Sequence, residues 1–260
     1  MQSNQDYLSI IIKQCKTLCF APTSRIILEL KNLLKLIAHW AGLFGQTRCY
    51  KCPICTYKGL FFDYINRFES RCPQCGSLER HRMQIIILNK LLLDGTIRLK
   101  DSCLHFAPEP FITPYLRNHF DKYITADLFQ KSVDLRMDVT KMTLKDSSVS
   151  FIYISHVLEH VQDDLSALNE IYRVLKSNGC ALIAVPVLYD RSIEYEQPNP
   201  KEFGHVRGVG FDYFEKVKKA GFKVNVFSSN DLSDDTYRTS YRHFKDYKSD
   251  IPDYVAICQK

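Results

Sequence analysis

Residues 149–161 read Val-Ser-Phe-Ile-Tyr-Ile-Ser-His-Val-Leu-Glu-His-Val. The first seven residues are mostly β-branched, aromatic or apolar, and they predict a buried strand, Val149–Ser155. A second apolar run, Ala181–Val185, contains no polar residue and is too apolar for an edge strand. Both stretches are therefore typical of central strands in a parallel sheet.

The segment between these strands has leucine, isoleucine and tyrosine residues at helical spacing. Asp163 or Asp164 can cap this helix, and Asn178-Gly179 predicts its C-terminal end. We predict further strands at Ser102–Phe106, Tyr123–Ala126, Val133–Val139, Phe222–Phe227 and Tyr254–Cys258, and a further helix at Phe211–Ala220. Such alternation over about 160 residues predicts a doubly wound (Rossmann-like) α/β domain.

Polar side chains follow the ends of these predicted strands. His105, Ala107 and Glu109 lie at the end of the first strand, Asp127 at the end of the second and Asp138 at the end of the third. In a doubly wound sheet, ligands bind beyond the carboxyl ends of the strands. Asp127 stands 20 positions beyond Ala107, a distance that suits a carboxylate accepting ribose hydroxyls. An aspartate at a strand end is also common as a turn or cap residue.

Two Cys-Pro-x-Cys pairs precede this domain: Cys52 with Cys55, and Cys72 with Cys75. Two residues between thiolates let both sulfurs face one tetrahedral ion, so two such pairs predict a four-sulfur structural zinc site. The aromatic segment between the pairs predicts the short strands of a zinc ribbon. A redox or disulfide role is the alternative interpretation, and Cys49 is a competing ligand. The other five cysteines, Cys15, Cys19, Cys103, Cys180 and Cys258, are expected to be small buried residues.

The N-terminal segment is predicted to be helical, with apolar residues at three- and four-residue spacing. These are Ile26, Ile27, Leu30, Leu33, Leu34, Ile37 and Trp40, and Arg25, Lys31 and Lys35 lie among them. Two interpretations remain open. Residues 24–44 form either an amphipathic helix on an anionic membrane surface or a helix packed on the rest of the protein.

Charge and composition limit the class of protein. Residues 1–100 contain 15 lysines and arginines against 6 acidic residues, whereas residues 101–260 contain 20 against 23. The basic first part suggests nucleic acid, anionic lipid or an acidic substrate as partner, or simply a solvated basic surface. No apolar run reaches the roughly 18 residues of a membrane span, and no secretory signal is evident. We therefore expect a cytoplasmic protein, peripheral to a membrane if residues 24–44 bind lipid.

Several segments together resemble a known enzyme family. Asp138-Val139-Thr140, Phe151–Val161, Glu170–Gly179 and Val185-Pro186 closely resemble the type-11 class I S-adenosylmethionine-dependent methyltransferases. Cys72–Arg82 and Leu104–Pro110 are similar to a bacterial subgroup that joins a zinc ribbon to this domain. The resemblance covers about residues 48–260 and none of the first 45.

The resemblance implies a seven-stranded sheet with an antiparallel last strand, and S-adenosylmethionine as cofactor. In this family pattern Asp127 holds the ribose, Asp138 binds the adenine amino group and Val139 supplies a backbone N–H. Ser155 and His156 flank the methionine end.

His105, Ala107 and Glu109 complete the expected cofactor site. The family usually has a Gly-rich turn after the first strand, where this chain has Ala107-Pro108-Glu109-Pro110. The usual close approach of the backbone to the cofactor is therefore in question. Glu109 is expected either to attract the cationic end of the cofactor or to be an exposed carboxylate at a helix start.

A hydroxyl acceptor needs a base with a pKa near 7, which suits histidine. His156 and His205 are the candidate catalytic residues, and His160 is a further one. His156 follows a central strand directly, and His205 is expected on a loop that roofs the substrate. Each could instead be a packing or cap residue. Glu159 is expected to be solvated, and Arg207 to pair with an acidic substrate or a neighbouring carboxylate.

These observations predict an N-terminal helical segment (1–47), a zinc ribbon (48–82) and a methyltransferase domain (83–260). The expected activity is methyl transfer from S-adenosylmethionine to a small-molecule or surface-glycan-type acceptor. A zinc-ribbon RNA methyltransferase and a non-catalytic cofactor-binding protein are the alternatives. No motif typical of base methylation follows the fourth predicted strand, which disfavours RNA.

Overall fold

The structure is a computed structural model that describes residues 4–41, 49–65, 67–97, 102–232, 235–237 and 252–260. The chain divides into two compact units. The first comprises Met1–Ile87 with Leu232–Pro252, and the second comprises Leu88–Asp231 with Asp253–Lys260. The N-terminal helical segment and the predicted ribbon thus belong to one unit. The division at residues 47 and 82 stays a prediction.

Two helices, α1 (Asn4–Cys19) and α2 (Thr23–Trp40), open the first unit. The buried residues of α2 are Glu29, Asn32, Leu33 and Leu36. The predicted apolar positions, with the exception of Leu33, are instead exposed. Among the described residues, no helix has both the length and the hydropathy needed to cross a membrane.

Polar contacts explain why α2 buries this face. The Asn32 amide donates to the Asp63 carbonyl and accepts from the Asp63 N–H, both at 2.9 Å. Glu29 forms an ion pair with Arg71 at 2.5 Å and accepts from Gln14 at 2.6 Å. Buried polar groups that are satisfied in this way hold a helix in one orientation, whereas apolar contacts alone are not directional.

Two antiparallel strand pairs follow α2. They are β1 (Tyr50–Lys51) with β2 (Lys58–Gly59), and β3 (Phe62–Tyr64) with β4 (Arg67–Arg71). Their core contains Ile10, Leu36, Tyr50, Cys52, Tyr57, Phe61, Phe62 and Cys72. The helix α3 (Glu79–Leu93) then begins in the first unit and ends in the second.

The second unit is built on a seven-stranded sheet. The helices and strands of this unit that follow α3 are, in chain order, β5 (Ser102–Phe106), α4 (Thr113–His119), β6 (Lys122–Asp127), β7 (Leu135–Arg136), β8 (Val149–Ser155), α5 (Asp164–Val174), β9 (Leu175–Ala184), β10 (Val187–Tyr189), β11 (Ile193–Asn199), β12 (His205–Gly210), α6 (Tyr213–Lys219), β13 (Lys223–Ser228) and β14 (Tyr254–Gln259). The strand order is β13-β14-β9-β8-β5-β6-β7, and β14 is antiparallel to both of its neighbours. This confirms the expected seven strands with an antiparallel last one.

Two local predictions differ from the structure. The third predicted strand, Val133–Val139, is reduced to the two residues of β7. The helix α5 ends at Val174, so Asn178-Gly179 lies inside β9 rather than at a helix end. A Cβ on Gly179 would lie 2.9 Å from the Ser150 carbonyl oxygen. Glycine is therefore needed here for the close approach of two strands and not for a helix cap.

A small sheet is inserted between β9 and α6. Its strand order is β10-β12-β11, with β12 parallel to β10 and antiparallel to β11. His205 was expected on a loop, but it is the first residue of β12 and is buried. A regular strand fixes its side chain more firmly than a loop would.

Candidate active site and candidate metal centre

A cavity of about 590 Å³ lies beyond the carboxyl ends of the central strands of the second unit. Five of the eight residues expected to bind the cofactor line it. They are Ala107 after β5, Asp127 at the end of β6, Asp138 and Val139 after β7, and His156 after β8. Its volume is in the range of small-molecule pockets. Apolar side chains form much of the remaining wall, among them Phe106, Leu128, Phe129, Met137, Val157 and Val161.

The two aspartates are oriented by the turns that they begin. Asp127 Oδ1 accepts from the N–H groups of Phe129 and Gln130, both at 2.7 Å. Asp138 Oδ1 accepts from the N–H and the hydroxyl of Thr140, both at 2.8 Å. One oxygen of each carboxylate thus fixes the side chain. The second oxygen, Oδ2, takes no part in these turn hydrogen bonds.

Two cavity residues adopt left-handed backbone conformations without being glycine. The φ angle is 48° at Ala107 and 54° at His156. The N–H of Ala107 donates to Ala126 O and that of His156 to Ala184 O, both at 2.9 Å, so neighbouring strands hold each turn. A left-handed non-glycine residue costs roughly 1–2 kcal/mol. Ala107 therefore makes a sharp turn at the end of β5 at the expense of some strain.

The other three expected cofactor residues do not line the cavity. His105 is fully buried, and its Nδ1 lies 2.7 Å from the Tyr123 hydroxyl. Ser155 is buried at the end of β8. Glu109 contributes its carbonyl to the first turn of α4, accepting from the N–H groups of Ile112 and Thr113.

A buried carboxylate connects the histidines. Glu159 is 0% exposed, contrary to the expectation that it is solvated. Its Oε1 lies 3.1 Å from Nδ1 of His156 and 4.0 Å from Nε2 of His205. The rings of His160 and His205 pack edge to face with centroids 4.8 Å apart. Burial lowers the pKa of His205, so its imidazole is predominantly neutral at neutral pH.

Arg207 on β12 holds the turn that carries Glu159. Its Nη1 donates to the carbonyls of Leu158 and Val161 at 2.8 and 2.6 Å, and its Nη2 donates to Gln162 at 3.0 Å. Its Nε donates to Glu194 at 3.1 Å. Of the two expectations for Arg207, pairing with a neighbouring carboxylate is the one that the structure contains. The three carbonyl contacts were not foreseen, because they join residues more than 40 positions apart.

The four cysteines of the Cys-Pro-x-Cys pairs converge in the first unit. The distance between Cys52 Sγ and Cys75 Sγ is 3.6 Å, and that between Cys55 Sγ and Cys72 Sγ is also 3.6 Å. Four sulfurs at 2.3 Å from one tetrahedral zinc ion would lie about 3.8 Å apart. The observed separations therefore fit a four-sulfur zinc site.

The two cysteine loops are closed in the same way. Cys52 N–H donates to Tyr57 O and Thr56 N–H to Cys52 O, and Cys72 N–H donates to Ser77 O and Gly76 N–H to Cys72 O, all at 2.8–2.9 Å. Hydrogen bonds among the four thiols lower the pKa of Cys52 and raise that of Cys55, and burial raises the pKa of Cys72.

The remaining cysteines lie outside this group. Cys49 is exposed and is not among the four converging sulfurs. Cys103, Cys180 and Cys258 are buried as expected, but Cys15 and Cys19 are exposed on α1. The expectation of burial was wrong for these two.

A second group of potential ligands, Glu159, His160 and His205, fits a metal less well. The ligand atoms of an ion bound at about 2.1 Å lie within roughly 3.5 Å of one another in a tetrahedral site. The distance from Glu159 Oε1 to His205 Nε2 is 4.0 Å. We therefore interpret this group as a buried carboxylate packed near two imidazoles and not as a metal centre.

Residues 111–183 match the family model described as a methyltransferase domain. The match covers less than half of the chain, and it confirms the expected enzyme class, a transferase of methyl groups. No curated protein sequence matches the chain significantly.

Several solved structures are similar to the chain. One is 1,6-didemethyltoxoflavin-N1-methyltransferase from Burkholderia thailandensis with bound 1,6-didemethyltoxoflavin and S-adenosylhomocysteine (14% identity, 70% of this chain and 78% of that chain, TM-score 0.49). Another is an S-adenosylmethionine-dependent methyltransferase from Mesorhizobium loti (12% identity, 66% of this chain and 96% of that chain, TM-score 0.47). A third is an S-adenosylmethionine-dependent methyltransferase from Archaeoglobus fulgidus (12% identity, 68% of this chain and 94% of that chain, TM-score 0.43).

The burial of His105 predicts a pH dependence of stability. Burial lowers the pKa of His105 from 6.5 to about 4. Between these values the unfolded chain binds a proton that the folded chain does not, so stability is lost as the pH falls. The free energy of unfolding should fall by up to about 1.4 kcal/mol per pH unit through this window because of His105.

Urea unfolding across this window and above it measures the effect. His105→Gln should reduce the loss of unfolding free energy as the pH falls. His119→Gln, which removes a less buried histidine, should leave that loss unchanged. If the free energy of unfolding depends on pH in the same way in the wild type and in His105→Gln, His105 is not the cause of the loss.

Proposed function

We propose that this protein transfers the methyl group of S-adenosylmethionine to a hydroxyl-bearing small molecule or glycan-type acceptor. The observation that carries this proposal is the cavity in which Asp127, Asp138 and His156 meet at the carboxyl ends of the strands. The methyltransferase-domain match to residues 111–183 supports the same activity. A cytoplasmic location belongs to this proposal.

Asp127 and Asp138 bind the nucleoside part of the cofactor in this proposal. Asp127 Oδ2 accepts from the ribose hydroxyls, because Oδ1 is engaged by two backbone N–H groups. Asp138 Oδ2 accepts from the adenine amino group, and Val139 supplies its backbone N–H. The apolar wall formed by Phe129, Met137 and their neighbours offers the adenine ring an apolar contact surface.

The sulfonium cofactor supplies an activated methyl group, so the protein must position the acceptor and remove its proton. Glu159 accepts the Nδ1–H of His156, which leaves the lone pair of His156 on Nε2. A neutral histidine with a free ring nitrogen can accept the proton of an acceptor hydroxyl. His156 is therefore the general base, and buried Glu159 stabilises the imidazolium that forms.

The inserted sheet is the proposed acceptor side of the site. Tyr189 and Tyr195 donate to Glu202 Oε1 at 2.5 and 2.9 Å, and Glu202 Oε2 lies 3.4 Å from His205 Nδ1. His205 in turn packs on His160, which lines the cavity. Tyrosine rings with a carboxylate suit an acceptor that has both apolar faces and hydroxyl groups. His205 is thus a positioning residue between the insertion and the cavity.

Cofactor binding should depend on the charge of Asp127. Asp127→Asn keeps an oxygen for the turn but replaces the charged acceptor of the ribose hydroxyls. Hydrogen bonds to a charged group contribute about 1.5–3 kcal/mol, so we expect about tenfold weaker S-adenosylhomocysteine binding, and ten- to hundredfold weaker binding for Asp127→Ala. Isothermal titration calorimetry measures both affinities.

Asp134→Asn is the matched control, because Asp134 accepts from Thr125 N–H and hydroxyl and does not line the cavity. Its affinity should equal that of the wild type. Unchanged affinity in Asp127→Ala would place the cofactor elsewhere.

Turnover should depend on the imidazole of His156. His156→Asn removes the base but retains a residue that tolerates the left-handed backbone. We expect kcat to fall by about 10²–10⁴-fold with little change in cofactor affinity. Glu159→Gln should also lower kcat, because it keeps the shape but loses the charge that stabilises the imidazolium.

Transfer of labelled methyl groups to cell-extract fractions (small molecules, glycans, lipids and RNA) measures turnover and identifies the acceptor class. His119→Asn is the control histidine. Label that appears in the RNA fraction alone would favour the zinc-ribbon RNA methyltransferase instead. A wild-type kcat in His156→Asn would show that His156 is not the general base.

We also propose that Cys52, Cys55, Cys72 and Cys75 hold one structural zinc ion. The sulfur separations of 3.6 Å support it, as do the paired loops. A bound ion would stabilise the first unit, because strands of two to five residues bury little apolar surface by themselves.

We therefore expect about one zinc ion per chain. Elemental analysis of protein that has been purified reduced and without chelators measures it. Cys72→Ser should lose the metal, whereas Cys19→Ser, which alters an exposed cysteine of the same unit, should retain it. Cys49→Ser should also retain it. Zinc content near zero in the wild type would exclude the site.

A further inference from the structure

The first unit exposes an apolar face on its two N-terminal helices. On α2 the side chains of Ile27, Leu34 and Trp40 are 70%, 57% and 54% exposed. Ile26, Leu30 and Ile37 are exposed beside them, and the spacing of three and four residues places the set on one side of the helix. A contiguous apolar surface of this kind on a folded protein marks a contact with another molecule.

This face is not the one by which α2 packs on its own unit. That packing uses Asn32, Glu29 and Leu36, and the hydrogen bonds between Asn32 and Asp63 fix it. The buried face of the helix thus combines Glu29 and Asn32 with Leu33 and Leu36, and the other apolar side chains face outward. Such an orientation is the reverse of the usual one for a surface helix.

Basic side chains cluster at the turn that joins α1 to α2. A cavity of about 420 Å³ at the turn between α1 and α2 is lined by Lys13, Lys16, Arg25 and Arg71, and by Phe20, which is 88% exposed. The single acidic residue in its lining is Glu29, which is already paired with Arg71. The cavity thus has an excess of positive charge, which complements phosphate groups.

We propose that the α1–α2 hairpin binds the surface of a bilayer that contains anionic phospholipids. The apolar face of α2 enters the boundary between headgroups and acyl chains, and the basic cavity receives a lipid phosphate. An amphipathic helix of this kind lies in the plane of the interface. The proposal extends the proposed function, since it would bring the enzyme to acceptors that are presented at a membrane.

Trp40 is a direct probe of this contact, because the chain contains one tryptophan. Vesicles of phosphatidylcholine, with and without phosphatidylglycerol, are added to the full chain while tryptophan emission is followed. We expect a blue shift and quenching by brominated acyl chains with the anionic vesicles, and weaker effects with the neutral ones or at high salt. Emission that does not change with anionic vesicles would overturn the proposal.

Two double variants separate the apolar and the electrostatic contributions in vesicle sedimentation. Ile27→Glu with Leu34→Glu should lower partitioning by about tenfold or more, because it places charges on the inserted face. Lys16→Glu with Arg25→Glu should abolish the preference for anionic vesicles. Leu93→Glu is the matched control, since Leu93 is 88% exposed on α3, and its partitioning should equal that of the wild type.

All these variants should keep the wild-type affinity for S-adenosylhomocysteine, which separates failure of this proposal from failure of the proposed function. Equal partitioning of the wild type and of Ile27→Glu with Leu34→Glu would refute the membrane contact. A dimer in analytical ultracentrifugation that this double variant dissociates, without vesicle binding by the wild type, would assign the face to a second copy of the chain instead.

Discussion

The guanidinium of Arg207 joins two segments of the second unit that are distant in sequence. It is 1% exposed, and it donates to three carbonyls of the turn after β8 as well as to Glu194. A buried arginine is stable only when its N–H groups are paired, so the turn and the inserted sheet must fold together. That turn carries Glu159, and the same strand as Arg207 carries His205. The geometry of the candidate active site therefore depends on this one side chain.

The chemistry of the site follows from the burial of a second charge. Glu159 is enclosed, so its carboxylate orients the imidazole of His156 and lies near that of His205. His156 itself is held in a left-handed turn at the end of β8, beside the cavity. Strain and a buried charge at one position are typical of a functional site, because both reduce stability without benefit to the fold.

The first unit shows the same reliance on polar contacts. Asn32 and Glu29 hold α2 against the strands by contacts with Asp63 and Arg71. Most of the apolar side chains of the helix lie on a different side. The apolar face is thereby left for an external contact. Since the four cysteines and this helix share one unit, a metal bound by the cysteines would also order the surface on which α2 rests.

The sequence by itself determined the features that depend on near neighbours. The strand Val149–Ser155 has the predicted bounds, Asp163 caps α5 by accepting from Ser166 N–H, and the spacing of the cysteine pairs brings their sulfurs together. Alternating strands and helices were sufficient to predict the sheet, because each pattern is local. Only the tertiary structure decided which face of α2 is buried, that Glu159 is enclosed, and that Gly179 lies in a strand. In each case the cause is a partner far along the chain: Asp63 for α2, Arg207 for the turn with Glu159 and Ser150 for Gly179. Residue patterns within one segment do not specify such partners.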